Sequence, residues 1–216
     1  MATRPEPKRH FAPEPLSPPE VRAMLRQCSD RSPTGIRNKA LIAVLWRSGL
    51  RISEVLALKP ADFDLVNETV RVLHGKNDVS RTSSIDPETV ALIQRWLDCR
   101  KDYGFRGAPA FCTITGSADG KLVPGAPLKG NYVRNLLNRL KVRAGVEKRV
   151  HPHGLRHSHA ADLAIEGVPL YVIQQQLGHK HMSTTDAYLR NIAPGAVIGL
   201  GRRRPSWDVA DEGPSS

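Results

Sequence analysis

The sequence predicts a mainly α-helical α+β domain that carries one small antiparallel β-sheet. Three observations lead there. Apolar residues recur at helical spacing in several separate stretches, most of them entered through a Ser, Thr, Asp or Pro start signal. Only residues 69–85 alternate apolar and polar positions, around a Gly-Lys-Asn-Asp turn that reads as a hairpin. Gly and Pro cluster between these stretches, where turns belong.

Taken in order, residues 1–16 hold Pro5, Pro7, Pro13 and Pro15 among charges, with too little apolar surface to fold alone, and are expected to form a flexible leader. Ser17-Pro18-Pro19-Glu20 is a capping box with prolines in the first turn, followed by Val21, Met24, Leu25 and Cys28 on one helical face. A second helix runs from Thr34 through Ile36, Ala40, Leu41, Val44 and Leu45 and stops at Gly49. Its apolar content predicts burial on most sides. Next, Arg51 stands at the entry of an apolar helical turn, with Glu54 three residues on as its partner. The plain alternative is a surface ion pair contributing at most about 1 kcal/mol. An arginine set between Leu50 and Ile52, just after a glycine break, is instead expected to be semi-buried and aimed at a ligand.

Lys76 falls at or beside the tip of the 69–85 hairpin, a place where a basic residue by itself indicates only a solvated turn. Asp86 and Pro87 start a long helix through Leu92, Ile93, Trp96 and Leu97 that ends near Gly104. Residues 105–128 are rich in Gly and Pro and predict loops with one short strand at 110–113. The helix over about 131–144 has Val133, Leu136, Leu137 and Leu140 on one face. Arg134, Arg139, Lys141 and Arg143 surround the rest, either as a solvated face or as a track for a phosphate backbone. Three further helices follow: from His153 to Gly167, from Pro169 to Leu177, and from a cap at Ser183 or Thr184 to Tyr188. Residues 194–216 read as a mobile tail.

The 216 residues carry 32 Lys and Arg against 21 Asp and Glu, a net charge of +11 spread through the predicted folded region, which points to a polyanionic partner. Nucleic acid is that expected partner. No stretch approaches the roughly 18 apolar residues of a membrane span, and the N-terminal residues contain no apolar signal core. Cys28, Cys99 and Cys112 lack metal or disulfide spacing and suit a reducing compartment. A cytoplasmic, nucleoid-associated protein is expected.

His153 and Arg156 stand three residues apart at a helix start, so both can face one ligand, and the Gly178-His179 break precedes the segment carrying Tyr188. In order, Arg51, Lys76, His153, Arg156, His179 and Tyr188 sit in the contexts GLRISE, HGK, HPHGLRH, LGH and STTDAY. This set resembles the tyrosine recombinases, or phage-type integrases, over residues 17–193. The resemblance implies that family's helical catalytic-domain fold and a site-specific recombinase or integrase that cleaves and rejoins DNA through a 3'-phosphotyrosine. It also implies double-stranded DNA as the partner, bound by a homo-oligomer, a tetramer. By the same resemblance Arg51 and Arg156 hold the scissile phosphate, His153 and His179 assist, Lys76 is the hairpin lysine, Glu54 steadies the first arginine and Tyr188 is the nucleophile.

The residue types suit that chemistry. Guanidinium forks give permanently charged, bidentate contacts to phosphate oxygens. A tyrosine hydroxyl titrates near pH 10, so it needs a neighbouring base, for which His153 is placed, and a lysine can protonate the departing oxygen. No metal or other cofactor is required, because the arginines supply the positive charge. A metal centre on His151, His153, His157 and His159 is the competing enzyme reading, but spacings of two, four and two on a helix start cannot turn all four to one ion. Two features depart from the family pattern. Asn77 and Asp78 follow Lys76 where another basic residue is common, and residues 1–16 cannot supply the helical core-binding domain that usually precedes the catalytic one. The chain therefore reads as a minimal or truncated recombinase or a catalytic-domain fragment, with a non-catalytic DNA-binding remnant that regulates recombination sites as the alternative.

Overall fold

The computed structural model describes residues 14–73, 80–117 and 123–178. Among them are seven α-helices and one three-stranded antiparallel sheet of order β1-β2-β3, the expected α+β class. Helix α1 (Pro18–Arg26) begins as its capping box dictates: the Glu20 carboxylate accepts from the Ser17 amide at 2.7 Å and from its hydroxyl at 2.8 Å. Residues 14–16, assigned to the leader by composition, pack against the helices. Leu16 is buried, and its amide donates to Ser158 Oγ at 2.8 Å.

Helix α2 (Pro33–Arg47) is the hub of the fold. It is capped by Ser32, whose hydroxyl accepts from the Gly35 amide at 3.2 Å, and it packs against α1, α3, α4 and α6. Ala40, Leu41, Ile42, Val44 and Leu45 are all fully buried, so the helix has no solvated stripe in its second half. Each of its large aliphatic side chains contributes about 1.5–3 kcal/mol on leaving water. The buried Arg37 fork donates to the Cys112 carbonyl at 2.8 Å and meets Asn38 and the Tyr132 hydroxyl, tying α2 to the 105–128 loop and to α5.

Helix α3 (Ile52–Ala57) leads through a short 3-10 turn into strands β1 (Phe63–Asp64), β2 (Thr69–Val72) and β3 (Arg81–Ser84). Strand β1 is absent from the sequence prediction because two residues show no alternation; it is defined by pairing of Phe63 with Val70 and Asp64 with Thr69. Helix α4 (Pro87–Lys101) starts on the Asp86 carboxylate, which accepts from the Thr89 amide at 2.8 Å. The strand expected at 110–113 is not formed; one isolated bridge joins Cys112 to Pro127. The reason is where the backbone groups go. The Ala110 amide donates to the Leu58 carbonyl at 2.6 Å, and the Ala110 carbonyl accepts from the Trp96 indole at 2.8 Å, so neither is left for a neighbouring strand.

Helices α5 (Gly130–Ala144), α6 (Pro152–Ile165) and α7 (Leu170–Leu177) complete the domain. Val133, Leu136, Leu137 and Leu140 of α5 are buried as their spacing predicts. Helix α6 lies on α2, and α7 lies on both α6 and strand β3. That last packing brings the C-terminal end of α7 to the loop between α2 and α3.

Candidate active site

Gly49 closes α2 in the left-handed region, at φ 62°, and the turn it makes delivers Arg51 to the N-cap of α3. There the Glu54 carboxylate accepts from the Arg51 amide at 2.7 Å and from Arg51 Nη1 at 3.0 Å. Glu54 is buried, and burial alone would raise its pKa. The hydrogen bond from Arg81, then the one from the Arg51 amide, outweigh that and hold it below the ordinary carboxylate range. The carboxylate is therefore ionised, and the Arg51 side chain, still 36% exposed, meets it through one nitrogen only.

Arg156 sits on the inward side of α6, 2% exposed. Its fork is aimed by two backbone carbonyls: Nη1 donates to Gly49 at 2.7 Å and Nη2 to Leu177 at 2.6 Å. Burial, and secondarily the charge of Arg51, lowers its pKa to about 10, so it stays protonated at neutral pH. The end of α7 receives two more arginines by long contacts. Arg51 Nη2 reaches the Gly178 carbonyl at 3.5 Å and Arg81 Nε reaches that of Gln176 at 3.4 Å. Successive carbonyls at 176, 177 and 178 thus take guanidiniums from three separate elements, at the helix end where the backbone dipole favours cations.

His153 follows one turn before Arg156 on α6 and is solvent-exposed, with its ring 3.9 Å from that of His157. Burial by its surroundings, then the charges of Arg156, His151 and Arg51, keep its pKa below the usual histidine value. It is accordingly a neutral imidazole near pH 7, able to accept a proton. The helix cap is His151, whose Nδ1 accepts from the Gly154 amide at 3.0 Å. Arg51, His153 and Arg156 are thus gathered within electrostatic reach of one another. Lys76, His179 and Tyr188 lie outside the described residues. Among the described residues no three His, Cys, Asp or Glu side chains form a group that could hold a metal ion.

Two residues of the site have no place in the recombinase reading of the sequence, where His159 appears only in the competing metal reading and Arg81 not at all. Arg81 donates to both Glu54 oxygens, at 3.1 and 2.7 Å, yet in the sequence it is one polar residue of a hairpin strand. His159 is buried behind Gly49, with Nε2 at 3.1 Å from Gln176 Nε2, and burial drives its pKa down to about 4. Periodicity offers a signal only for the placement of His159, three residues beyond Arg156 on the same face of α6; Arg81 is brought to the site by the packing of its strand on α7. On α5, Arg134, Arg139 and Arg143 are exposed, and the first turn of the helix abuts Ile52. No helix among the described residues is long and apolar enough to cross a membrane.

A family model described as the phage integrase family matches residues 14–193. Tyrosine recombinase XerC of Lactobacillus delbrueckii subsp. bulgaricus is 31% identical over 170 residues, covering 78% of this chain and 55% of the relative. Tyrosine recombinase XerD of Rickettsia conorii is 36% identical over 189 residues, covering 82% of this chain and 59% of the relative. The chain thus spans a little over half the length of these curated relatives. Among solved structures, the XerA recombinase superposes with a TM-score of 0.72 at 26% identity, over 91% of this chain and 67% of the other. The XerH site-specific recombinase bound to palindromic difH substrate, in a post-cleavage complex, gives a TM-score of 0.71 at 26% identity, over 88% of this chain and 53% of that one.

Proposed function

The chain belongs to the phage integrase family, and on that premise we propose that it is a site-specific DNA strand transferase. It cleaves and rejoins duplex DNA through a 3'-phosphotyrosine, without metal or ATP, and residues 17–193 form the catalytic unit. The observation that carries this reading is the convergence of Arg51 and Arg156, from separate helices, on the end of α7 beside the neutral imidazole of His153. Three guanidiniums, those of Arg51, Arg81 and Arg156, opposed by the single ionised carboxylate of Glu54 leave a surplus of positive charge where a phosphate can be gripped. In a site partly shielded from water, that charge stabilises the additional negative charge of a pentacoordinate phosphorus.

In this reading the Arg51 and Arg156 forks bind the non-bridging oxygens, and His153 withdraws the proton from the Tyr188 hydroxyl as it attacks phosphorus. The 5'-oxygen of the departing strand takes a proton from Lys76, while His179 donates a hydrogen bond to the phosphate. The new phosphotyrosyl ester conserves the energy of the broken bond, so a DNA hydroxyl can reverse the step. The exposed arginines of α5 follow the phosphate backbone, and binding should fall steeply with salt. A homotetramer assembled on two DNA sites, acting at the nucleoid in the cytoplasm, is the proposed working form. The relatives, recombinases by name, favour this over a non-catalytic DNA-binding remnant.

The test is covalent trapping on a duplex nicked next to the cleavage position, so that the short released fragment diffuses away. Wild-type protein should form a DNA adduct resistant to denaturant, and Tyr188→Phe should bind the same DNA without forming it. A folded, DNA-bound wild type that yields no adduct on its own recombination site overturns the proposal.

A further inference from the structure

The Glu54 carboxylate is saturated by two arginines with different exposures and different attachments. Oε1 accepts from Arg51 Nη1 at 3.0 Å and from Arg81 Nη1 at 3.1 Å. Oε2 accepts from the Arg51 amide at 2.7 Å and from Arg81 Nη2 at 2.7 Å. Arg81 therefore takes both oxygens with its fork, whereas the Arg51 side chain takes one. The Arg81 side chain is 12% exposed and that of Arg51 36%. Arg81 also lies directly beneath the left-handed turn at Gly178, where a Cβ would stand 3.0 Å from both its Cζ and its Nε.

We propose that Arg81 is a positioning residue for the strand-transfer site: by occupying Glu54 side-on, it limits the Arg51 side chain to one bond with that carboxylate, so that its other donors, held only by the long 3.5 Å contact to the Gly178 carbonyl, can turn to a phosphate. The inference rests on the function proposed above and adds a residue to it. Arg81 has its own donors committed to Glu54 and to the Gln176 carbonyl, so it does not itself contact the substrate. Without it, Glu54 is a buried anion facing Arg51 alone. The strongest pairing then open to the two is the fork-to-fork geometry, which draws the Arg51 fork inward. The turn at Gly178 loses its support at the same time, and the Leu177 carbonyl that aims Arg156 is one residue away. Both phosphate-holding arginines thus depend on one side chain from a strand that carries no other site residue among those described.

The experiment is single-turnover trapping on the nicked duplex at saturating DNA, with rates taken from the time course and normalised to the reactive fraction. Arg81→Gln should slow adduct formation by about 10²-fold, the usual consequence of an ångström-scale misplacement, with DNA affinity changed no more than a few-fold. Arg81→Lys keeps the charge and most of the bulk, so it should fold, and it should still lose roughly 10-fold because an ammonium cannot span both carboxylate oxygens. The decisive comparison is the Glu54→Gln background, where no carboxylate remains to withdraw Arg51. There Arg81→Gln should cost much less than it does in wild type, whereas a merely structural arginine would slow both backgrounds equally. Equal losses in the two backgrounds, or wild-type rates for Arg81→Gln and Arg81→Lys, overturn the inference while leaving the strand-transfer reading intact. A wild type that traps nothing removes both.

Discussion

Gly49→Ala is the substitution whose consequence the geometry states most directly. Gly49 has φ 62°, and a Cβ there would lie 2.5 Å from His159 Cδ2 and 2.8 Å from Leu177 Cδ2. Left-handed backbone in a residue with a side chain costs roughly 1–2 kcal/mol, and forcing a methyl into packed atoms adds about 1–3 kcal/mol, for a sum on the order of 2–5 kcal/mol. In a domain of this size that corresponds to a fall in Tm of roughly 5–20 °C. The substitution also reaches the chemistry, because the Gly49 carbonyl is one of the two acceptors that aim the Arg156 fork. Thermal unfolding followed by circular dichroism measures the first effect, and the trapping rate of the folded fraction the second. Gly104→Ala is the internal control: its φ is 63°, and nothing lies within 4 Å of its added Cβ, so it should show the backbone cost alone. If the two variants melt within 2 °C of each other by this measurement, the close approach of His159 and Leu177 to Gly49 is refuted.

Three more predictions follow from the same contacts. Arg156→Lys should leave DNA binding within a few-fold of wild type, because the charge remains. It should slow adduct formation by at least about 10²-fold, because one ammonium cannot serve the Gly49 and Leu177 carbonyls and a phosphate together. His159 and Asp162 titrate in opposite senses over one range. Burial lowers His159 to about 4, so its contribution is full above its ordinary value and is lost as pH falls towards 4; burial raises Asp162 to about 6, so its contribution is present in acid and is lost as pH rises through 3.8 to 6. Asp162→Asn, which can still accept from the Trp46 indole, removes the acid-favouring arm. Between pH 7 and pH 4 it should therefore lose more stability than wild type, by on the order of 3 kcal/mol in paired denaturant titrations. Adduct formation in excess EDTA should match that in untreated buffer, since the guanidinium pair supplies the charge a metal would; a rate restored only by a divalent cation would contradict this.

The elements legible in the sequence were those whose signals are local. Ser17 with Glu20, Asp86 with Pro87 and the apolar face of α5 each declare themselves within one or two turns, and each is formed as expected. The Arg51–Glu54 pair was readable for the same reason, as an i, i+3 contact at a helix start. What was not readable depends on contacts between distant segments. Strand β1 is two residues long and exists only through β2. The 110–113 segment is a short apolar run between Gly and Pro that reads as a strand, but the backbone groups of Ala110 are claimed by Leu58 and Trp96. Arg81 and Glu54 are 27 residues apart, and His159 meets Gln176 across 17, so neither pair leaves a mark in any single window.

The dependence of the site on α7 gives the domain an order of assembly. Arg156 is buried, and each of its two terminal nitrogens donates to one backbone carbonyl, that of Gly49 from the α2–α3 turn and that of Leu177 from the end of α7. Were α7 undocked, half of that fork would be a buried cation without an acceptor, a state that costs several kcal/mol. Arg156 cannot take its working position until α7 has packed on α6 and β3, and the carbonyls of α7 cannot be satisfied there until the arginines arrive. Each is the other's partner, so the Arg51 and Arg156 side chains and the last described helix should take their places in one cooperative step. Hydrogen exchange can observe this: amide protection in α7 should rise and fall with that of α6, and a substitution that frees the Arg156 fork should lower both together.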